Sequence, residues 1–329
     1  MKALVTGAAG FIGSHVARHC LDLGMEVTAV DDLSGGFVDN VPAGCRWVQG
    51  DLVEPTFVNS LWQETTYDYV YHLAAYAAEG LSHFIRRYNY LTNLVASVNL
   101  LNASINKEVS CFVFTSSIAV YGTGQTPMSE SMKPHPEDPY GISKYAMELD
   151  LESAKRQFGT DYIVFRPHNV YGEVQNIADK YRNVIGIFMN QCLCKEPMSV
   201  FGDGLQTRAF SYIDDVAPII AKSPLTPAAR NQIFNVGADI SYSILDLATA
   251  VAEAMDAPRN IIHLPPRNEV VHAFSDHSKI NAVFPLTRSP VLLEEGIAKM
   301  AAWVKSKGRA VPTSYGTVEI SKNLPVSWL

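Results

Sequence analysis

The sequence predicts an α/β fold: a doubly wound parallel sheet joined to a smaller domain toward the C-terminus. Three observations carry this. The chain opens on a short apolar strand that runs straight into Gly7-Ala-Ala-Gly10-Phe11-Ile12-Gly13. Short β-branched or aromatic runs then alternate with helical stretches as far as Arg166. The run Phe112-Val-Phe-Thr-Ser-Ser117 is apolar up to its polar end, the pattern of a strand buried on both faces.

A chain of 329 residues fits one large domain or two modest ones. With 47% hydrophobic residues it has the apolar content for a substantial core, which excludes disorder. The net charge of −7 and the lack of a lysine/arginine cluster argue against a nucleic-acid surface. No apolar run reaches membrane-spanning length, so no membrane partner is expected. Met1 leads directly into a strand, so no signal peptide is expected. Cys20, Cys45, Cys111, Cys192 and Cys194 are odd in number and fit no disulfide framework. Cys192 and Cys194, two apart on a helix, face different directions and are expected to be buried thiols, with no metal site. The cytosol is the expected compartment.

Lys2 to Thr6 is the first strand, and the helix after the glycine loop runs to about Leu23. Gly7, Gly10 and Gly13 permit a tight turn and close backbone approach to a pyrophosphate at the helix N-terminus, with Phe11 and Ile12 beside it. Glu26 to Val30 is a second strand ending at Asp31, and an acid at this distance holds the adenosine ribose hydroxyls. Asp31 and Asp32 would repel a 2′-phosphate, which favours NAD over NADP. A third strand, from Arg46, ends at Asp51-Leu52, an acid suited to the adenine edge. Tyr69 to Ala75 is a fourth, where Leu73 leads into Ala74 and Ala75, small enough for the cofactor to pass close to the backbone. Tyr88 to Ile105 is helical, and Asn93 on it either reaches back to the sheet or is a satisfied helix polar group.

The central strand ends at Thr115-Ser116-Ser117, and Tyr140-Gly-Ile-Ser-Lys144 follows on the next helix. Four residues of spacing put Tyr140 and Lys144 on one helical face. Ligands of open α/β sheets bind at the carboxyl ends of strands, so Ser117, Tyr140 and Lys144 are expected to meet there. A phenol with a pKa of about 10 is a poor base at neutral pH. A nearby ammonium and the positive charge of an oxidised nicotinamide both favour the phenolate. Tyr140 would then take a proton from a substrate hydroxyl while hydride leaves the same carbon, and Ser117 would hydrogen-bond that oxygen.

Tyr162 to Arg166 is a sixth strand; after it the pattern changes. Pro167-His-Asn169-Val-Tyr171-Gly172 is a loop, and Asp179-Lys-Tyr-Arg182-Asn183 leads into a helix to about Lys195. Met198 to Phe201 is a short strand before a Gly202-Asp-Gly204 turn, and Gln206 to Val216 brings an aspartate to a helix cap. A linker at 223–227 precedes a strand near Ile233 to Gly237 that returns to the sheet, with helices near 244–255 and 291–305. The expected division is 1–168 for the cofactor, with later returns near 210–260, and 169–329 mainly for the substrate.

Taken together, the glycine loop, Asp31, Ser117 and Tyr140-x-x-x-Lys144 resemble the extended short-chain dehydrogenase/reductase family, whose fold is Rossmann-type, over nearly the whole chain. Within it the chain looks like the nucleotide-sugar 4-epimerases that act on UDP-glucose or UDP-glucuronate. The resemblance implies tightly held NAD, removal of the sugar 4-hydroxyl proton by Tyr140, a transient 4-keto sugar, and return of hydride to its other face. It assigns cofactor contacts to Gly7, Gly10, Gly13, Asp31, Asp51, Asn93, Tyr140 and Lys144. It gives Asn169 a contact to the UDP-sugar, and gives Asn183, Arg208 and Arg267 its diphosphate and nucleoside. Arginine suits a diphosphate geometrically. It also implies a homodimer through a four-helix bundle of the helices near 88–105 and 140–158. One departure is that a lysine or arginine common in epimerases after the fourth strand is replaced by Ala74-Ala-Tyr-Ala-Ala-Glu79.

Relatives of this fold perform other reactions. The 4,6-dehydratases carry Thr-Asp-Glu, and the uronate decarboxylases Thr-Ser-Glu, where this chain has Ser117-Ile118-Ala119. Elimination of water needs an acid and a base there, and Ile118 and Ala119 are neither. A non-catalytic NAD-sensing protein would be expected to lose Tyr140 or Lys144, and both are present. Arg182, beside Asn183, either pairs with a C6 carboxylate in bidentate fashion or faces solvent or the diphosphate. UDP-glucose leads as the expected substrate, with UDP-glucuronate close behind.

Overall fold

The computed structural model of the chain describes residues 1–124, 126–266, 270–286, 288–308, 318–325 and 328. Its centre is a seven-stranded sheet whose neighbouring strands all run parallel. The strands are β1 (Lys2–Thr6), β2 (Glu26–Asp31), β3 (Arg46–Gln49), β4 (Tyr69–His72), β5 (Cys111–Thr115), β6 (Tyr162–Pro167) and β7 (Gln232–Val236). Their spatial order is β7-β6-β5-β4-β1-β2-β3. The order reverses between β1 and β4, which opens a crevice at their carboxyl ends.

Continuous apolar runs make these strands because both faces are covered. Every residue of β5 and β6 is buried. Side chains alternate all the same, since successive residues of a strand point to opposite faces. Val5, Val113 and Phe165 enter one core layer, beneath α1 (Phe11–Asp22) and the helix Ile213–Lys222. Leu4, Phe112, Phe114 and Val164 enter the other, beneath α2 (Ala96–Asn106) and α3 (Pro139–Phe158). Helix α3 is well defined at both ends. The Asp138 carboxylate accepts the Gly141 amide, Pro139 begins the first turn, and Gly159 ends the helix at φ 79°.

After β6 the chain builds smaller units at the open end of the crevice. Thr207–Ala209 lies between Ser241–Ser243, antiparallel, and His272–Ala273, parallel. Met198–Phe201 pairs with Ile261–Leu264, and Val170–Tyr171 with Ser211–Tyr212. Between them β7 returns to the edge of the large sheet beside β6.

Three sequence expectations shift. The fourth strand stops at His72, so Leu73 to Ala75 are loop, bent where the backbone must pass Gly7. The helix expected over 88–105 is three pieces: Arg86–Tyr90, a π-turn at Leu91–Val95, and α2. The widened turn carries Asn93, whose buried amide bonds the Tyr76 backbone on both sides. Cys192 and Cys194 are half-buried rather than buried, being on the last turn of Val184–Cys194 where the helix reaches the surface. No helix among the described residues is long and apolar enough to cross a membrane, and no cluster of His, Cys, Asp or Glu among them could hold a metal ion.

Phe165 is fully buried on β6 and its ring lies 5.9 Å from that of Phe234 on β7, so it joins the edge strand to the sheet. Phe165→Ala should cost about 3–5 kcal/mol of unfolding free energy in urea denaturation. A loss below about 1 kcal/mol would mean that the edge strand is not held through this pair.

Candidate functional site

The carboxyl ends of the strands line one cleft of about 570 Å³. Its first end is built by the glycine loop. Gly7 sits at φ +70°, and a β-carbon there would fall 2.7 Å from the Ala74 amide nitrogen. A β-carbon on Gly13 would lie 2.0 Å from the Gly7 carbonyl oxygen. The loop is thus packed to backbone contact against Ala74 on one side and the first turn of α1 on the other. Gly10 caps that helix without a side chain, which leaves its first amides facing the cleft. The Asp31 carboxylate accepts from the Ala9 and Leu33 amides at 3.1 and 2.8 Å, locking the loop to the end of β2. Burial pushes the Asp31 carboxyl up, and those amides hold it down. Asp32 accepts from the Ser34 amide, and Asp51 from the Val53 amide.

Phe11, Ile12, Leu52, Leu73 and Ala75 complete this wall. Two carboxylates and a run of backbone amides beside a side-chain-free approach suit the ribose and pyrophosphate of a dinucleotide. Asn93 does not line the cleft. It is buried behind the wall, its amide taken by Tyr76 and Asn89, so it shapes the loop after β4.

Ser117, Tyr140 and Lys144 converge midway along the cleft. Ser117 caps the turn Ile118–Tyr121 by accepting the Ala119 amide. Lys144 is buried; its Nζ donates to the Thr115 carbonyl at 2.8 Å and lies 5.8 Å from the centre of the Tyr140 ring. Burial draws the Lys144 ammonium down to about 7, against Glu148, which pulls upward. Burial raises the Tyr140 phenol, Ser117 opposes this, and Arg182 lowers it through space. The expected support of a phenolate by Lys144 is therefore limited, because both groups are desolvated by the same dry wall.

The far end is lined by Asn169, Arg182, Asn183 and Arg208. The Asn169 side chain donates to the Ala209 carbonyl, and Asn183 donates to Val170 O and caps the helix Val184–Cys194. Arg208 donates to the carbonyls of Thr207, Val270 and Val271, so its guanidinium is fixed across the small sheet. Arg182 lines the cleft as a partly buried side chain with protein partners already in place. Its Nε donates to Asp179 at 2.6 Å, and its guanidinium stacks 4.7 Å over the Tyr76 ring. Arg267 lies outside the described residues.

Sequence reasoning missed the support beneath the triad. Glu148 continues the Tyr140 and Lys144 face of α3 by one more turn and is almost fully buried. It accepts from Ser116, and Arg166 on β6 grips it with Nε and Nη2, at 3.0 and 2.5 Å. An acid four residues after a buried lysine, with an arginine ending the next strand, was the available signal. A second group had none: His168 Nε2 lies 3.1 Å from His277 Nε2, whose Nδ1 is 2.6 Å from Asp239. Burial, then the second ring, brings His168 down to about 3.

A family model described as the NAD dependent epimerase/dehydratase family matches residues 3–237. The chain is 33% identical over 317 residues to the UDP-glucose 4-epimerase of Mycolicibacterium smegmatis, covering 94% of this chain and 100% of that one. The solved UDP-glucose 4-epimerase of Thermotoga maritima with UDP-glucose superposes at a TM-score of 0.87 with 32% identity, covering 93% of this chain and 99% of that one. The UDP-glucuronic acid 4-epimerase of Bacillus cereus, in complex with UDP-glucuronic acid and NAD, does so at 0.83 with 27% identity, covering 93% and 100%.

The lowered Lys144 value fixes a sign for stability against pH. Between about 7 and the unfolded value near 10.4, the unfolded chain holds the proton that the folded chain has released. This group therefore adds stability as pH rises through that window and adds no slope below it. Lys144→Met should remove that rise. Denaturation of both proteins from pH 7 to 9 checks this, and parallel curves would contradict it.

Proposed function

The chain belongs to the NAD dependent epimerase/dehydratase family, and from that premise we propose that it is a UDP-sugar 4-epimerase that inverts C4 through a 4-keto sugar. The observation that carries this reading is the meeting of Ser117, Tyr140 and Lys144 in one cleft between a dinucleotide-shaped wall and an arginine-bearing one. In this reading residues 1–168 hold the cofactor and 169–329 mainly hold the nucleotide sugar. NAD held along the glycine-loop wall would supply the hydride acceptor, and then the hydride donor, for C4. Gly7, Gly10 and Gly13 bring the backbone to its pyrophosphate, and Asp31 and Asp51 take the adenosine end. Tyr140 Oη removes the 4-hydroxyl proton and later returns it, while Ser117 donates to the same oxygen. Arg182 is the cation that offsets charge on the phenol through space, and Lys144 fixes the Tyr140 helix to the end of β5. Arg208 and Asn183 stand where a diphosphate would lie.

Two further observations narrow the chemistry. Ile118 and Ala119 occupy the positions that a dehydratase fills with acids, which favours epimerisation. At the sugar end Glu79, Glu137 and Asp138 line the cleft, and the Arg182 charge is already met by Asp179. That balance favours a neutral hexose, UDP-glucose/UDP-galactose, over a uronate. UDP-glucuronate/UDP-galacturonate is the second reading, favoured by the position of Arg182 beside Tyr140. A homodimer is part of the proposal. The exposed apolar side chains Val95, Ile142 and Leu149, on the Leu91–Val95 turn and α3, support it.

The test is the purified protein with a panel of UDP-sugars, products separated by stereochemistry. Interconversion of UDP-glucose and UDP-galactose without added NAD is expected. Absence of C4 inversion on every UDP-hexose and UDP-uronate would overturn the assignment. Tyr140→Phe should lose about 10²–10⁴-fold in turnover yet keep UDP binding, since only proton transfer is removed. In Arg182→Ala, turnover of the two sugars should fall together; a loss confined to the uronate would move the assignment to the acid sugar. Sedimentation velocity checks the dimer, with Leu149→Glu expected to yield monomer.

A further inference from the structure

Trp328 stands at the far end of the chain from every residue assigned above, yet it is buried against the mouth of the cleft. Its ring meets the Phe84 ring edge-on at 6.0 Å and the Tyr181 ring at 5.5 Å. A β-carbon on Gly80 would come within 3.1 Å of the indole, so the ring lies flush on that backbone. The Trp328 carbonyl accepts from Lys180 Nζ at 3.3 Å. These partners belong to the two opposite walls of the cleft. Gly80 and Phe84 follow β4, whereas Lys180 and Tyr181 belong to the loop that carries Arg182 and Asn183.

Glu319, Ile320 and Leu324, ahead of Trp328, are fixed to the first wall. The Glu319 carboxylate accepts from the Arg87 and Tyr88 amides at 2.8 and 2.9 Å. The Glu319 and Ile320 amides both donate to the Phe84 carbonyl, and Leu324 packs on the same apolar cluster. On the other wall the 179–183 loop is held by Tyr181 N and Arg182 Nε on Asp179, and by Asn183, at φ 61°, which donates to Val170 O and caps the helix that follows. Arg182 then crosses to stack on Tyr76, and Tyr76 meets Tyr88 edge-on at 5.8 Å.

We propose that Trp328 is a positioning residue that clasps the 179–183 loop to the 80–88 wall, and so sets Arg182 and Asn183 for the nucleotide sugar. It touches no reacting atom and acts through Tyr181 and Gly80. Edge-on aromatic pairs add attraction beyond their burial, enough to hold a short loop but not to hold the fold. The proposal rests on the UDP-sugar reading only in the identity of the ligand.

The test compares the full chain with Trp328→Ala and Trp328→Phe. In Trp328→Ala, the KM for UDP-glucose should rise about tenfold, equivalent to 1.4 kcal/mol, with kcat within about twofold and NAD content unchanged. Trp328→Phe, which keeps an aromatic edge, should recover most of the difference. Amide hydrogen exchange without substrate should speed up in 179–187 for Trp328→Ala and slow again on adding UDP. An unchanged KM with unchanged exchange would overturn the clasp. So would a melting temperature, kcat and NAD content that fall together in both variants, because that is the signature of a general structural role. If the wild-type chain turns over no UDP-sugar, the functional reading fails, and the exchange comparison still decides the clasp.

Discussion

The Lys144 ammonium, which donates to the Thr115 carbonyl from a buried position, is the interaction on which the site depends. It ties α3 to the end of β5, and so fixes Tyr140 and Ser117 relative to each other. A buried charge of this kind survives only with partners around it. Glu148 supplies one from a turn below, and Arg166 and Ser116 hold Glu148 in turn. Helix α3, the central strand and its neighbour β6 are therefore one electrostatic unit. The polar end of β5 draws on that unit, because most side chains of β5 and β6 are apolar and Arg166 is the one charge they carry.

Charge along the cleft is arranged in sections. Carboxylates stand at the loop end, where Asp31 and Asp51 accept amides and remain available to hydroxyl groups. Guanidinium groups stand at the opposite end, each already held by the protein: Arg208 by backbone carbonyls and Arg182 by Asp179 and the Tyr76 face. Prior fixing lowers the ordering cost on binding and limits how far each cation can adapt to a new anion. For Arg182 the limit is chemical: a guanidinium already satisfied by a carboxylate offers less to a second carboxylate.

The two halves of the molecule are interleaved in sequence. After the Val170–Tyr171 and Ser211–Tyr212 pair, the chain returns to add β7 to the large sheet and leaves again to build the small one. The tail then comes back a further time to the wall after β4. Each crossing ties the arginine-bearing side to the sheet against which α3, with Tyr140, packs. Geometry across the cleft is thus held by covalent connections as well as by packing.

By itself the sequence determined the α/β class, the succession of strands along the chain up to β6, and the loop, acid and Tyr-x-x-x-Lys pattern. Those features are local: glycines are demanded by a turn, strands by apolar runs, and a shared helical face by spacing. Tertiary structure alone decided what each polar side chain touches. Asn93 spends its amide on Tyr76, Arg182 meets Asp179 and Tyr76, and Glu148 meets Arg166. It alone brought Trp328 onto Gly80 and Tyr181. Such partners lie far apart in the chain or compete with several alternatives of equal spacing. Which of them meet is settled by strand order and by where the returning segments cross, and no single stretch of sequence encodes either.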